Sequence, residues 1–268
     1  MSILTSLTHY DERETKSRSD ARCYNFRDDA TIMSAFQRPI YAIWFMLALG
    51  CTLVLGGPAR SDPLNTWTVS CGADPGSVEK HGNVRTFITS RNHCPGGIFH
   101  QRAEIASDPI SPTQKGAYLF KTTVSMKTAS TEKFGIFQIH DARLGCAPPL
   151  VIYVYPDGRL NLTSDIKTGP GESCIRGALN NQFSKSRLRR DGTPQELSVL
   201  VEFNGEGGFK ATLFLDGKQQ VSGWYDLSKQ PAEFRSKKFY FKHGVYSQHM
   251  FDYVMTSTGM RVTKVVIE

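Results

Sequence analysis

Hydrophobic and polar residues alternate with period two through most of the chain after Asn65. Side chains of a strand point to opposite faces in turn, so this alternation predicts strands. The runs are RTFITS, GIFHQRAEI, GAYLFKTTVSM, KFGIFQIH, PLVIYVYP, ELSVLVEF, FKATLFL, KKFYFKHGVYSQ and RVTKVVIE, bounded by Gly, Pro, Asn and Asp. Asp-Gly stands between runs in YPDGRLNL and FLDGKQQV, a hairpin signal, and FNGEGGFK is a longer glycine-rich turn. No window of about eleven residues keeps a helical period. Neither a repeat nor a Pro/Ser linker divides the region. Many short strands with regularly spaced turns predict one all-β domain over residues 62–268, an antiparallel sandwich or barrel.

The N-terminus reads differently. Residues 1–32 are polar and without period, as expected of a disordered segment or of a start placed upstream of the real one at Met33. Residues 33–61 carry Arg38, an apolar run from Ile40 to Leu55 and the small-x-small ending Ala59-Arg60-Ser61. That is the layout of a secretory signal peptide cleaved near Ser61, or of a signal anchor if it stays uncleaved, the one case in which a membrane would be involved. A secreted or periplasmic location follows. It changes how cysteine reads, because four cysteines then remain: Cys71, Cys94, Cys146 and Cys174. In an oxidising compartment they predict two disulfides, and proximity in sequence favours 71–94 and 146–174. No pair of them has zinc-ligand spacing, so no metal site is expected.

Of the 268 residues, 32 are Lys or Arg and 25 are Asp or Glu, a formal charge of +7. The first 61 residues hold seven of the basic and six of the acidic ones, which leaves 25 against 19, a net +6, for the predicted domain. A basic surface attracts polyanions, whether nucleic acid, anionic lipid or acidic polysaccharide. The densest basic run, SKSRLRRDG at 184–192, is either a solvated loop or a rim for such a polyanion. It has no helix-turn-helix, zinc finger or RNA-binding aromatic signature beside it, which argues against nucleic acid.

Three strands carry one polar face each. In KKFYFKHGVYSQ, Tyr240, Lys242, Gly244, Tyr246 and Gln248 share a face, and Phe239, Phe241, His243 and Val245 share the other, which reads as half of a core. In GIFHQRAEIAS, His100, Arg102 and Glu104 fall together, with Phe99, Ala103 and Ile105 mostly opposite and Gln101 out of place. In KFGIFQIHDA, Gln138 and His140 are backed by Phe137 and Ile139. Each pair alone would be an ordinary surface ion pair or hydrogen-bonded pair. Together they suit a surface made to hold something polar.

Arg102-x-Glu104, Gln138-Ile139-His140 and YFKHGVYSQ (Tyr240 to Gln248) resemble, in order, the three signature motifs of the alginate lyases of polysaccharide lyase family 7. Three positions, in two of the motifs, depart from that pattern. The family's second arginine is Ala106 here, and its Ala-Gly-x-Tyr-Asn is His243-Gly244-Val245-Tyr246-Ser247. The resemblance implies a jelly-roll sandwich with a concave substrate groove, no cofactor, and an acidic polysaccharide as partner of a monomeric enzyme. It also implies β-elimination. The proton at C5 of a uronate is weakly acidic beside an ionised carboxylate, so the enzyme must neutralise that carboxylate and stabilise the intermediate. Arg102, Gln138 and His140 are expected to neutralise, and Tyr246 to protonate the leaving oxygen. Either Tyr246 or His140 takes the C5 proton. A tyrosine base needs nearby positive charge, for which Arg102 and Lys242 are candidates. Lys242 and Gln248 are expected to bind neighbouring sugars, with Tyr240 and His100 on the same polar surface, and Glu104 to orient Arg102. Glucuronan or another acidic exopolysaccharide stays open as substrate because of Ala106 and His243. A glycoside hydrolase would need a carboxylate pair, which these faces lack. A non-catalytic carbohydrate-binding module would have no use for Gln138, His140 and Tyr246 together.

Overall fold

Alternation along each run becomes two faces in space, one turned to a shared core and one to solvent. The computed structural model describes residues 62–89, 101–143, 145–180, 182–228 and 230–267. The proposed leader, His100 and Cys94 lie outside the described residues. In chain order the strands are β1 (Trp67–Val69), β2 (Val78–His81), β3 (Val84–Ile88), β4 (Gln101–Ser107), β5 (Lys115–Thr128), β6 (Phe134–His140) and β7 (Leu150–Val154). They continue as β8 (Leu160–Lys167), β9 (Cys174–Ala178), β10 (Gln195–Asn204), β11 (Phe209–Leu215), β12 (Lys218–Tyr225), β13 (Tyr240–Ser247) and β14 (Tyr253–Val265).

They form two seven-stranded sheets, ordered β1-β4-β13-β6-β7-β8-β9 and β12-β11-β10-β5-β14-β3-β2. The strand pairs are antiparallel, and the sheets pack face to face as an all-β sandwich. Aromatic rings fill the space between them. Phe120 of β5 meets Phe137 of β6 with centroids 4.9 Å apart, and Phe203 of β10 stacks over Phe241 of β13 at 6.4 Å. Burying each such ring is worth roughly 1.5–3 kcal/mol. His243 belongs to this core: it is fully buried, 5.0 Å from the Phe120 ring and 5.6 Å from that of Phe87. Its Nδ1–H donates to the Ile136 carbonyl at 2.8 Å, and its Nε2 accepts from the Ser257 hydroxyl at 2.6 Å. Gln101, out of place by residue type, also faces inward, and its amide donates to the Phe251 carbonyl at 2.7 Å.

Asp216 and Gly217 both have positive φ, 51° and 70°, as a two-residue hairpin turn in FLDGKQQV requires. The last strand begins at Tyr253, well before the expected RVTKVVIE; YVMTSTG is rich in Thr and Ser, and an irregularity between Thr258 and Arg261 interrupts its alternation. The sequence pattern also passes over β1, β2 and β9, which are only three to five residues long. A disulfide joins Cys146 to Cys174 at the start of β9, as expected. Cys71 is disulfide-bonded too, with its partner outside the described residues.

Candidate active site

The three motif strands are neighbours: β13 lies between β4 and β6. Their odd-numbered residues from 101 to 105, 137 to 139 and 241 to 245 enter the core. The even-numbered ones therefore share the face turned away from the second sheet. Register sets who meets whom: Tyr246 is opposite Arg102, Gly244 opposite Glu104, Lys242 opposite Gln138, and Tyr240 opposite His140. Two irregularities sit at the centre. An extra residue, Ile136, bulges from β6 against β7, and β13 carries an extra residue against β6 between His243 and Tyr246. Bulges of this kind re-aim side chains. The one on β6 lets both Phe134 and Phe137 point to the core while Gln138 reaches Glu104 and His140 stacks on Tyr240.

Glu104 is the centre of the cluster, only 2% exposed. It accepts from the Gln138 amide and, at 3.0 Å, from Lys242 Nζ, and it lies 3.8 Å from Arg102 Nε. A buried carboxylate with this set of donors is compensated by hydrogen bonds and by charge. Gly244 makes the arrangement fit. Its φ is +139°, and a Cβ there would stand 2.1 Å from the Ala103 carbonyl and 2.7 Å from Glu104 Cα.

Arg102 is held from two sides. Its guanidinium lies 5.2 Å from the centre of the Tyr246 ring, and Nη1 donates to the Cys71 carbonyl at 3.3 Å. The adjoining Gly72 has φ +74°, and a Cβ on it would come within 2.6 Å of that same nitrogen. His140 stacks on Tyr240, with ring centres 5.3 Å apart. Its Nδ1 accepts from the Ala142 N–H at 2.8 Å, which leaves the proton of the neutral ring on Nε2. Burial, then the charges of Lys242, Arg102, Arg143 and Lys238, hold its pKa well below the usual histidine range. His140 is thus a neutral donor through Nε2.

Tyr246 shows the opposite balance. Burial pushes its phenol pKa well above 10; Arg102 pulls it down, while Glu104 and Tyr153 push it further up. The expected lowering by positive charge comes from Arg102 and is outweighed by burial. Lys242 itself is 6% exposed, with its ammonium donating to Glu104. Gln248 lies just past β13, exposed, and lines a cavity of about 210 Å³ together with Tyr246. The same cavity brings in Lys133, Tyr153 and Tyr155, which the motif faces do not include. Their signal is in VIYVYP, where the two tyrosines share one parity and Ile152 and Val154 the other.

Among the described residues, no group of three or more His, Cys, Asp or Glu is placed to hold a metal ion. None of the helices among them is long and apolar enough to cross a membrane.

The architecture is that of the jelly-roll alginate lyases of polysaccharide lyase family 7. In particular, the chain is similar to the crystal structure of alginate lyase A1-II', a member of that family. The TM-score is 0.51 at 15% identity, over 76% of this chain and 96% of that one. It is also similar to an endo-β-1,4-glucuronan lyase from the fungus Trichoderma reesei (TM-score 0.49, 13% identity, 79% of this chain and 92% of that one). A third is the exolytic alginate lyase AlyA5 from Zobellia galactanivorans (0.49, 14%, 76% and 96%). Neither a protein-family model nor a curated protein matches the sequence. At this identity the likeness establishes the shared fold.

Proposed function

We propose that this protein is a polysaccharide lyase that cleaves a 4-linked uronate polymer by β-elimination, with alginate as the first substrate to test. The observation that supports this is that Arg102, Gln138, His140 and Tyr246 share one face of three neighbouring strands, with Gln138 and Arg102 gathered on the buried Glu104. Fold likeness to alginate lyase A1-II' supports the same assignment.

In this mechanism the substrate carboxylate takes hydrogen bonds from the Arg102 guanidinium, from the second amide hydrogen of Gln138 and from His140 Nε2–H. These donors stabilise the charge that develops when C5 loses its proton. Glu104 and Lys242 are positioning residues, since their mutual bond and the bond from Gln138 hold the donors at a fixed spacing. His140 cannot serve as base while Nδ1 receives the Ala142 N–H. The Tyr246 oxygen takes both proton steps: as phenolate it removes the C5 proton, and as phenol it returns that proton to the leaving oxygen. Arg102 favours the phenolate.

The substrate question narrows to Ala106. Of the other departures from the family pattern, His243 points into the core and does not reach a sugar, and Ser247 is buried. Ala106 lies opposite Lys242, where the family's second arginine would add a cation. The decisive experiment incubates the full chain with alginate, polyguluronate, polymannuronate and glucuronan and follows the ultraviolet absorbance of the new C4=C5 double bond. Absorbance growth on one of them is the expected result. Reducing ends without that absorbance would make it a hydrolase, and binding without cleavage would make it a carbohydrate-binding module.

A further inference from the structure

Tyr246 is not at the end of the polar surface. Beyond it, across the small side of Gly135, stands Tyr153 of β7, whose partner in register is that same glycine. Lys133 Nζ lies over both neighbouring rings, 4.8 Å from the centre of Tyr153 and 5.9 Å from that of Tyr155. The lysine is exposed and both tyrosines are half-buried. The cavity they line continues: Thr131 and Pro156 belong both to it and to a second cavity, of about 690 Å³, bordered by Arg187 and Arg189.

A basic loop is ordinarily just solvated. Two features set this one apart. Arg190 donates to the carbonyls of both Pro156 and Ser130, which ties the loop to the two segments forming the cavity wall. Arg187 and Arg189 stay exposed, with their side chains toward solvent; Asp157 and Asp191 of the same cavity wall feel their charge but leave the segment 185–190 with four basic residues and no acidic one. The path from Tyr246 therefore runs over a cation lying above two aromatic faces and then past two exposed guanidinium groups. Aromatic faces with a polar rim suit sugar rings, and cations spaced along a groove suit a chain that carries a charge on every unit.

We propose that Lys133, Tyr153, Tyr155, Arg187 and Arg189 form a binding track for the sugar chain on the Tyr246 side of the catalytic residues, giving this protein a preference for long polyuronates. The track rests on the uronate reading above. Glu132 also lines the first cavity, with its carboxylate 3.8 Å from His249 Nε2.

The test measures affinity for long alginate or glucuronan chains and for a short oligosaccharide of the same polymer. It compares the full chain with R187A/R189A, with K133A, and with K80A/K218A, which removes the same charge from exposed positions of the second sheet. R187A/R189A is expected to lower the ratio of long-chain to short-chain affinity about tenfold, and K133A to weaken both ligands, while K80A/K218A leaves the ratio where it was. Equal losses for the two double variants, or none for R187A/R189A, would overturn the track. Track-dependent binding without double-bond formation would sink the lyase assignment and leave the track standing. Cleavage with no dependence on the arginines would do the reverse, and no binding to any polyuronate would end both.

Discussion

Replacing His243 by leucine removes a buried imidazole from between the two sheets, and its signature is a change in how stability depends on pH. Burial is the main cause that lowers the His243 pKa from 6.5 to about 4, helped by the charge of Arg85 and opposed by the Ile136 carbonyl. Between those two values the unfolded chain binds a proton that the folded chain refuses, so protons favour unfolding. The contribution is fully present above the unfolded value and is lost as pH falls through the interval. Going from about pH 7 to about pH 4.5 should therefore cost the wild type about 2 kcal/mol through this one group. His243→Leu lacks that term, although at neutral pH it is the less stable protein because the Ser257 hydroxyl and Ile136 carbonyl lose their partner. Urea unfolding followed by tryptophan fluorescence at both pH values gives the double difference, in which carboxylates common to both proteins cancel. Identical losses in the two proteins would mean that the imidazole titrates normally, and the account of this core would be wrong.

Other outcomes are equally specific. Tyr246→Phe should abolish double-bond formation while leaving the unfolding midpoint and polymer affinity near those of the wild type; substantial remaining turnover would exclude its acid and base role. Because the phenol pKa lies above 10, log kcat should climb with pH through the neutral range, and an acid limb near the ordinary histidine value would return His140 to consideration as base. Gly244→Ala should cost about 3 kcal/mol or more, from its positive φ and the contact with the Ala103 carbonyl, visible as a lowered Tm or loss of soluble protein. Removing the Cys146–Cys174 bond, which closes a loop with a sequence separation of 28, should cost up to roughly 3–4 kcal/mol in chemical denaturation.

Strand type and face were legible because burial acts on each residue in turn. Phe241, His243 and Val245 lie inside and Tyr240 and Tyr246 outside, as their alternation requires. The sharing of one face by Arg102, Glu104, Gln138 and His140 was legible for the same reason. What alternation cannot carry is the identity of a residue's neighbour on the next strand. Lys242 meets Glu104 because Gly244 lets β4 and β13 approach closely, and nothing local to Lys242 records that. Likewise the shift at Ile136 depends on three strands competing for register, while Lys133 finds Tyr153 and Tyr155 only once β7 lies beside β6. Strand β14 was half hidden because its Thr and Ser residues pair well in a sheet yet read as a loop.

Arg102 donates one of its hydrogen bonds to the carbonyl of Cys71, a residue locked in a cystine, and the adjoining glycine leaves room for the guanidinium. On the mechanism proposed above, a thiol reagent that never enters the groove would therefore disarm the protein from behind, by loosening the turn to which the Arg102 guanidinium is bonded. Newly made chains would gain turnover only as that crosslink closes, so oxidative maturation and the onset of activity should keep the same clock.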